Sequence, residues 1–122
     1  MTDSIREIAG ARVLVCTADG PLLASERDRD EVLSAAWGHE AGMVAMPTAR
    51  LAPDFFRLET RLAGTVTQKF VNYSLRLAII GDISAEIAAS RALRDFVHEA
   101  NKGRMLWFVH DVGELEARLS AA

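Results

Sequence analysis

Short runs rich in apolar residues alternate with segments of helical periodicity along most of this chain. The clearest runs cover residues 12–17, 43–46, 75–80 and 105–109, and Gly, Pro or Asp lies close to the end of each. Runs of this length suit strands that are covered on both faces. Strands that alternate with helices predict parallel pairing through right-handed crossovers. The pattern therefore predicts an α/β fold.

A weaker strand at residues 5–8 precedes the first strong one, and only Gly10 and its neighbours separate them. So short a gap is typical of a hairpin, which makes this pair antiparallel. The predicted order is ββαβαβαβα, in one domain over residues 1–122. The expected sheet has five strands, is mixed but mostly parallel, and carries helices on both faces. Its strand order does not follow from the sequence.

The longest predicted helix starts at Pro53, a residue that suits an early helical position. Gly64 lies inside it, and we expect close approach of a neighbouring backbone to explain that glycine. Ser84 or Ser90 begins the next helix, and Asp111 caps the last one. The predicted buried stripe of the long helix consists of Leu58, Leu62, Val66, Phe70 and Tyr73.

Composition restricts the classes of function. The net charge is −3 with both signs mixed along the chain, which argues against a nucleic-acid binder. The single cysteine, Cys16, cannot form an intrachain disulfide, and its apolar neighbours indicate a buried strand residue. The sequence shows neither a signal-peptide pattern nor an apolar run of membrane-spanning length. We expect a cytoplasmic protein that does not enter a membrane.

No catalytic motif can be recognised. The patterns GxSxG, GxGxxG, HExxH and the P-loop are all absent, and the three histidines are not spaced as metal ligands. We therefore predict no catalytic residue, no metal site and no cofactor. Enzymatic activity is not assigned, and a non-enzymatic role is favoured.

Polar residues follow the predicted strands at their carboxyl ends, where open parallel sheets bind ligands. Helix N-termini nearby would favour a phosphate. The alternative is that these residues serve only as turn formers and caps. The candidate ligand-binding residues are Thr48, Asp82, Ser84, Ser90 and Arg91.

A second candidate surface combines the loop before the long helix with polar positions on that helix. Two aromatic residues adjacent on a helix lie about 100° apart, so one ring should be exposed beside arginines, a composition enriched in interfaces. The alternatives are that the loop buries both rings, and that the polar residues form a structural network with Arg94, Asp95 and Glu99. The candidates are Arg50, Phe55, Phe56, Arg57, Gln68, Lys69 and Asn72.

The stretch from residue 53 to 109 resembles an uncharacterised bacterial family, the domain of unknown function numbered 4180. The resemblance rests on FFRLETRLAG at 55–64, QKFVNY at 68–73, LAIIGD at 77–82 and LRDF at 93–96. Departures from the family pattern occur at Thr65, Thr67, Ile83 and Ala100. They put in doubt any site that would use those side chains.

The order of elements also resembles the STAS fold of anti-anti-sigma factors. That resemblance implies a phosphorylated residue in the loop after the third strand. Here Thr48 is the only hydroxyl residue between Pro47 and Pro53, and no Asp-Ser-Ser-Gly-like pattern surrounds it. The sequence does not decide whether Thr48 is phosphorylated.

Together these observations favour a STAS-like interaction or regulatory module that binds a protein partner or forms a homodimer, without nucleic acid or membrane. The alternative is a small-ligand or metal-binding domain that uses the rim around Asp82.

Overall fold

The computed structural model describes residues 3–121, which form an α/β fold as predicted. Ser84 and Ser90 were alternative starts of one predicted helix, but each marks the start of a separate helix, Ser84–Ala89 and Arg91–Lys102. The strands are β1 Ser4–Ile8, β2 Ala11–Val15, β3 Met43–Pro47, β4 Arg76–Ile80 and β5 Leu106–Val109. The helices are α1 Glu26–Gly38, α2 Leu62–Asn72, α3 Ser84–Ala89, α4 Arg91–Lys102 and α5 Val112–Ala121.

The five strands lie side by side in the order of the chain. β1 pairs with β2 antiparallel, as the short connection predicted, and every later pair is parallel. Each crossover therefore steps in the same direction across the sheet. Crossovers of one hand that step in one direction place their helices on one face. Buried residues of α1, α2 and α4 do pack in a single cluster against that face.

The opposite face of the sheet has a smaller core. Of the helices in the described range, α5 packs here, through Leu115 and Leu119. They meet Val13, Met43 and Trp107, among other strand residues. Both faces are thus covered, as predicted.

Strand β4, which lies between β3 and the edge strand β5, is nearly as buried as its apolar sequence predicts. Leu77 and Ile79 are each about 1% exposed, whereas Ile80 remains partly accessible. The last helix also begins as predicted, because the Asp111 side chain accepts a hydrogen bond from the Glu114 backbone N–H at 2.8 Å. The Glu114 carboxylate in turn accepts one from the His110 backbone at 2.6 Å.

The long helix predicted from Pro53 is wrong in its first half. Two 3₁₀ turns, Pro53–Phe56 and Leu58–Thr60, precede α2. The backbone is extended at Arg57 and left-handed at Arg61, with φ of 66°, so helical hydrogen bonding cannot run through. The Thr60 hydroxyl stabilises this path, because it lies 2.7 Å from the Asp54 carbonyl and 2.8 Å from the Arg57 carbonyl.

The buried stripe predicted for the long helix also extends too far towards the carboxyl end. Tyr73 was expected to complete the buried face of α2 but is 41% exposed, and Trp37 of α1 is 56% exposed. Their rings pack edge to face instead, with centroids 4.6 Å apart. Leu58 and Leu62 are partly buried, and Val66 and Phe70 lie in the core.

Candidate functional site

The carboxyl edge of the sheet carries a cleft of about 710 Å³. One wall comes from the connection between β3 and α2, and the other from residues 82–90, which follow β4. Among the lining residues, Thr48, Phe56 and Arg57 belong to the first wall. Asp82, Glu86 and Ser90 belong to the second. The cleft thus joins members of both candidate surfaces.

Thr48 lines the cleft and lies against Gly81, and these two residues directly follow β3 and β4. Gly81 has a φ of +145°, which side-chain-bearing residues rarely adopt. A Cβ atom added to it would lie 2.5 Å from the Thr48 hydroxyl oxygen. Only glycine permits both this backbone conformation and this contact.

Gly81→Ala is therefore expected to lower the free energy of unfolding by about 2–3 kcal/mol, the cost of a strained backbone plus overpacking. Gly64→Ala is the matched control. Gly64 was expected to allow a close backbone approach, but this was wrong, because nothing lies within 4 Å of an added Cβ. In an exposed helix interior, alanine should raise stability by up to about 1 kcal/mol. Chemical denaturation of both variants measures the difference, and equal effects would contradict it.

Asp82 begins the turn into α3 and keeps its carboxylate at the cleft. One oxygen accepts hydrogen bonds from the Ser84 hydroxyl at 2.6 Å and the Ser84 backbone at 2.9 Å. The hydroxyl bond, then the backbone bond, lowers the pKa of Asp82 below its ordinary value. Asp82 is therefore ionised at neutral pH and gives the cleft a fixed negative charge.

Phe55 and Phe56 differ in exposure. Phe55 is about 1% exposed, whereas Phe56 remains partly accessible and lines the cleft, with the ring centroids 5.5 Å apart. The expectation that one ring is partly exposed is met by Phe56, although on a 3₁₀ turn. The interaction role predicted for Phe55 is wrong, because this ring fills the core.

Arg57 lies beside Phe56 and is only loosely paired. Its guanidinium is 3.7 Å from the Asp54 carboxylate, and both side chains are more than half exposed. Exposed pairs of this kind contribute little stability, so Arg57 is free to change partner. Glu59, Asp82 and Glu86 also line the cleft, which makes its charge predominantly negative.

Arg50 was predicted to lie on an interaction surface, and this was wrong. It is about 4% exposed, and its guanidinium contacts Asp3 at 3.1 Å, the Thr17 carbonyl at 2.9 Å and the Pro21 carbonyl at 2.6 Å. The short loop before the cleft is thereby fastened to both the start of the chain and the end of β2. Arg50 thus anchors the segment whose neighbouring residues, Ala49 and Leu51, line the cleft.

Cys16 lies in the same region, just after β2. It is buried, as predicted, and lines a partly open pocket of about 190 Å³ beside Arg50. Burial, followed by the nearby charge of Asp3, raises the pKa of the Cys16 thiol to about 12. A thiol that stays protonated at neutral pH is a poor nucleophile.

The remaining candidates lie elsewhere. Gln68, Lys69 and Asn72 line a separate groove of about 670 Å³, together with Phe96 of α4. The alternative of a polar network between α2 and α4 is not seen among these residues. Instead, each helix has its own pair: Gln68 with Asn72 at 2.9 Å in α2, and Lys102 with Glu99 at 3.2 Å in α4.

Three of the five candidate ligand-binding residues, Thr48, Asp82 and Ser90, line the cleft. Ser84 instead faces a smaller neighbouring depression of about 260 Å³, and Arg91 begins α4 outside the cleft. Ser90 also caps α4, accepting a hydrogen bond from the Leu93 backbone at 3.1 Å. Within residues 3–121, no group of three His, Cys, Asp or Glu residues is arranged to hold a metal ion.

Comparison with protein families gives one match. The profile of a family described as a domain of unknown function, DUF4180, matches residues 8–119. The chain belongs to this family. No curated protein matches significantly, and neither does any solved structure.

The DUF4180 match extends the resemblance seen at residues 53–109 to residues 8–119 of the chain, including β2, α1 and β3. All the residues that line the cleft fall within it. In the part of the domain that the structure describes, no helix is both long and apolar enough to cross a membrane.

Proposed function

We propose that this DUF4180 domain is a non-enzymatic, STAS-like interaction module of the cytoplasm, and that its cleft binds a short segment of a partner protein. The observation that carries the proposal is the convergence of Phe56 and Arg57 with Asp82 and Glu86 around one open cleft. Aromatic and arginine side chains that are partly accessible are typical of binding hot spots.

The chemistry of the cleft suggests which segment it binds. Leu51, Pro53 and Ala89 contribute apolar surface, and three carboxylates outnumber the single guanidinium. An apolar side chain next to a lysine or arginine would complement both features. Opposite charges across the interface would also speed association.

The cleft is held open before any partner arrives. Besides the Arg50 contacts, Leu23 forms a parallel bridge with Leu51, with its backbone N–H donating to the Arg50 carbonyl at 2.6 Å. Pro47 and Pro53 restrict the backbone on either side. A wall that is already ordered loses little conformational entropy on binding.

Co-purification from the native host, with Phe56→Ala compared to the unaltered protein, tests the proposal. We expect a specific protein to accompany the unaltered domain and to be reduced about tenfold or more with Phe56→Ala, the loss typical of a hot spot. Trp37→Ala, which removes an exposed ring outside the cleft, is the matched control. Equal recovery of the partner with all three proteins would contradict the proposal.

The volume of the cleft also supports a second candidate, a small-molecule site at the rim around Asp82. Ligand pockets commonly measure about 300–1,000 Å³. Native mass spectrometry of the purified domain separates the candidates, because a retained small ligand adds a defined mass of a few hundred daltons. A homodimer would instead double the mass, and Phe56→Ala would then shift the equilibrium towards monomer.

A further inference from the structure

Arg76 and Arg118 pack on Trp107 at the amino edge of the sheet, the edge opposite the cleft, and Arg104 is close enough to Arg76 to repel its charge. Arg76 begins β4, Arg104 precedes β5, and Arg118 lies in the last turn of α5. The guanidinium carbons of Arg76 and Arg118 lie 4.4 Å and 4.2 Å from the centroid of the Trp107 ring. The fold therefore concentrates positive charge at one place on a chain whose net charge is negative.

Within the part of the chain that the structure describes, these three arginines form no ion pair. Among residues 3–121, the ion pairs within 4.0 Å involve other arginines, at positions 27, 29, 50, 57 and 94, together with Lys102. The polar contacts of Arg76 and Arg118 run to neutral groups: Arg76 to the Arg104 carbonyl at 2.7 Å, and Arg118 to the Asn101 carbonyl at 2.7 Å.

The environment of Arg76 is unfavourable for its positive charge. Its Nη2 atom is buried and has no hydrogen-bond partner within the described residues. Burial, and then the positive charges of Arg104 and Arg118, lowers the pKa of Arg76. Contact with the Trp107 ring offsets part of that repulsion. An external anion would offset the rest.

We infer that Arg76, Arg104 and Arg118 form a binding site for the phosphate group of a small soluble molecule. The planar fork of a guanidinium matches phosphate oxygens, and three positive charges suit a group that carries nearly two negative ones. Arg104 is exposed, and Arg118 and Arg76 are both partly exposed. Arg104 and Arg118 can contact the ligand, while Arg76, whose Nη2 atom is buried, contributes mainly its charge. This site is independent of the proposed partner cleft.

Trp107 provides the readout, because the chain has only two tryptophans and Trp37→Phe leaves it as the sole tryptophan. In that background, inorganic pyrophosphate is titrated at constant ionic strength. We expect a saturable change in Trp107 fluorescence and a rise in melting temperature. Arg104→Gln should weaken the apparent affinity by about tenfold, as expected for a lost charge-assisted hydrogen bond.

Arg104→Gln should fold normally, since the Arg104 side chain is exposed and makes no hydrogen bond within residues 3–121. Its melting temperature without ligand verifies this. Arg27→Gln, on α1 and 89% exposed, is the control and should bind pyrophosphate like the parent. The inference is overturned if sodium chloride gives the same response, if Arg104→Gln binds unchanged, if citrate binds more tightly than pyrophosphate, or if only anionic vesicles bind.

Discussion

Phe55→Ala is expected to lower the free energy of unfolding by about 3–5 kcal/mol, the range for removing a fully buried phenylalanine ring. Phe55 is about 1% exposed and belongs to the main core cluster, so its loss leaves a cavity between the 3₁₀ turns and the sheet. Urea denaturation measures the effect. The loss is a property of the isolated domain and should not depend on any partner.

Phe56→Ala provides the contrast one residue later. Phe56 packs only at the margin of the core and against the edge of Phe55, so its removal should cost about 1 kcal/mol. Its effect should fall on partner binding. If Phe56→Ala destabilises the domain as much as Phe55→Ala while binding is intact, the cleft loses its central contact and the interface assignment fails.

The ion pair between Asp3 and Arg50 should produce the second large effect. Asp3→Ala leaves the guanidinium, whose side chain is 5% exposed, without its carboxylate. Breaking a buried pair from one side costs several kcal/mol, and the 20% exposure of the Asp3 side chain reduces that to about 2–3 kcal/mol. Asp54→Ala, which unpairs the exposed Arg57, is the control and should change stability by less than about 0.5 kcal/mol.

The same pair makes stability depend on pH. Burial raises the pKa of Asp3, but the hydrogen bond from the Thr17 backbone and the charge and hydrogen bonds of Arg50 outweigh it and hold the pKa below its ordinary value. A lowered folded-state pKa adds stability that is fully present above the unfolded value, near about 4. It is lost as the pH falls through the lower folded value.

The difference in unfolding free energy between the unaltered domain and Asp3→Asn should therefore be constant near neutral pH and shrink below about pH 4. Parallel denaturation series at several pH values measure it. A difference that stays constant down to pH 2 would show that Asp3 does not have a lowered pKa.

Strands were predictable because their burial leaves a direct mark on the sequence. The segments at 43–46 and 75–80 are bounded by Gly42, Pro47 and Gly81, and these two strands lie within a residue of their predicted limits, whereas the strand predicted at 12–17 ends at Val15. The strand order could not be read, because it depends on which strand edges pair across the sheet. The caps at Asp111 and Ser90 were visible because their donors lie three residues away.

The break between Phe56 and Leu62 left no such mark. Leu58 and Leu62 keep helical spacing with Val66, so periodicity alone predicts one continuous helix. The helix is interrupted by hydrogen bonds from the Thr60 hydroxyl to two carbonyls and by the left-handed conformation of Arg61. Both features arise only in the folded backbone. The burial of Arg50 could not be predicted for a related reason, because its carboxylate partner, Asp3, lies 47 residues away in the sequence.

The candidate site was predicted in part. Strand ends indicated Thr48 and Asp82, and the aromatic pair indicated Phe56. Glu59 and Glu86 were missed because each reads as an ordinary charge on a surface turn or helix. The only available signal was position, since Glu59 follows Phe56 by three residues and Glu86 follows Asp82 by four.

Photo-crosslinking inside cells tests the binding role of the cleft most directly. A benzophenone amino acid replaces Glu59 or Glu86, one on each wall of the cleft, and replaces Glu116 of α5 on the opposite sheet face as the control. The account predicts the same protein adduct from both cleft positions and none from the control. Adducts of equal yield at all three positions, or at Glu116 alone, would contradict it.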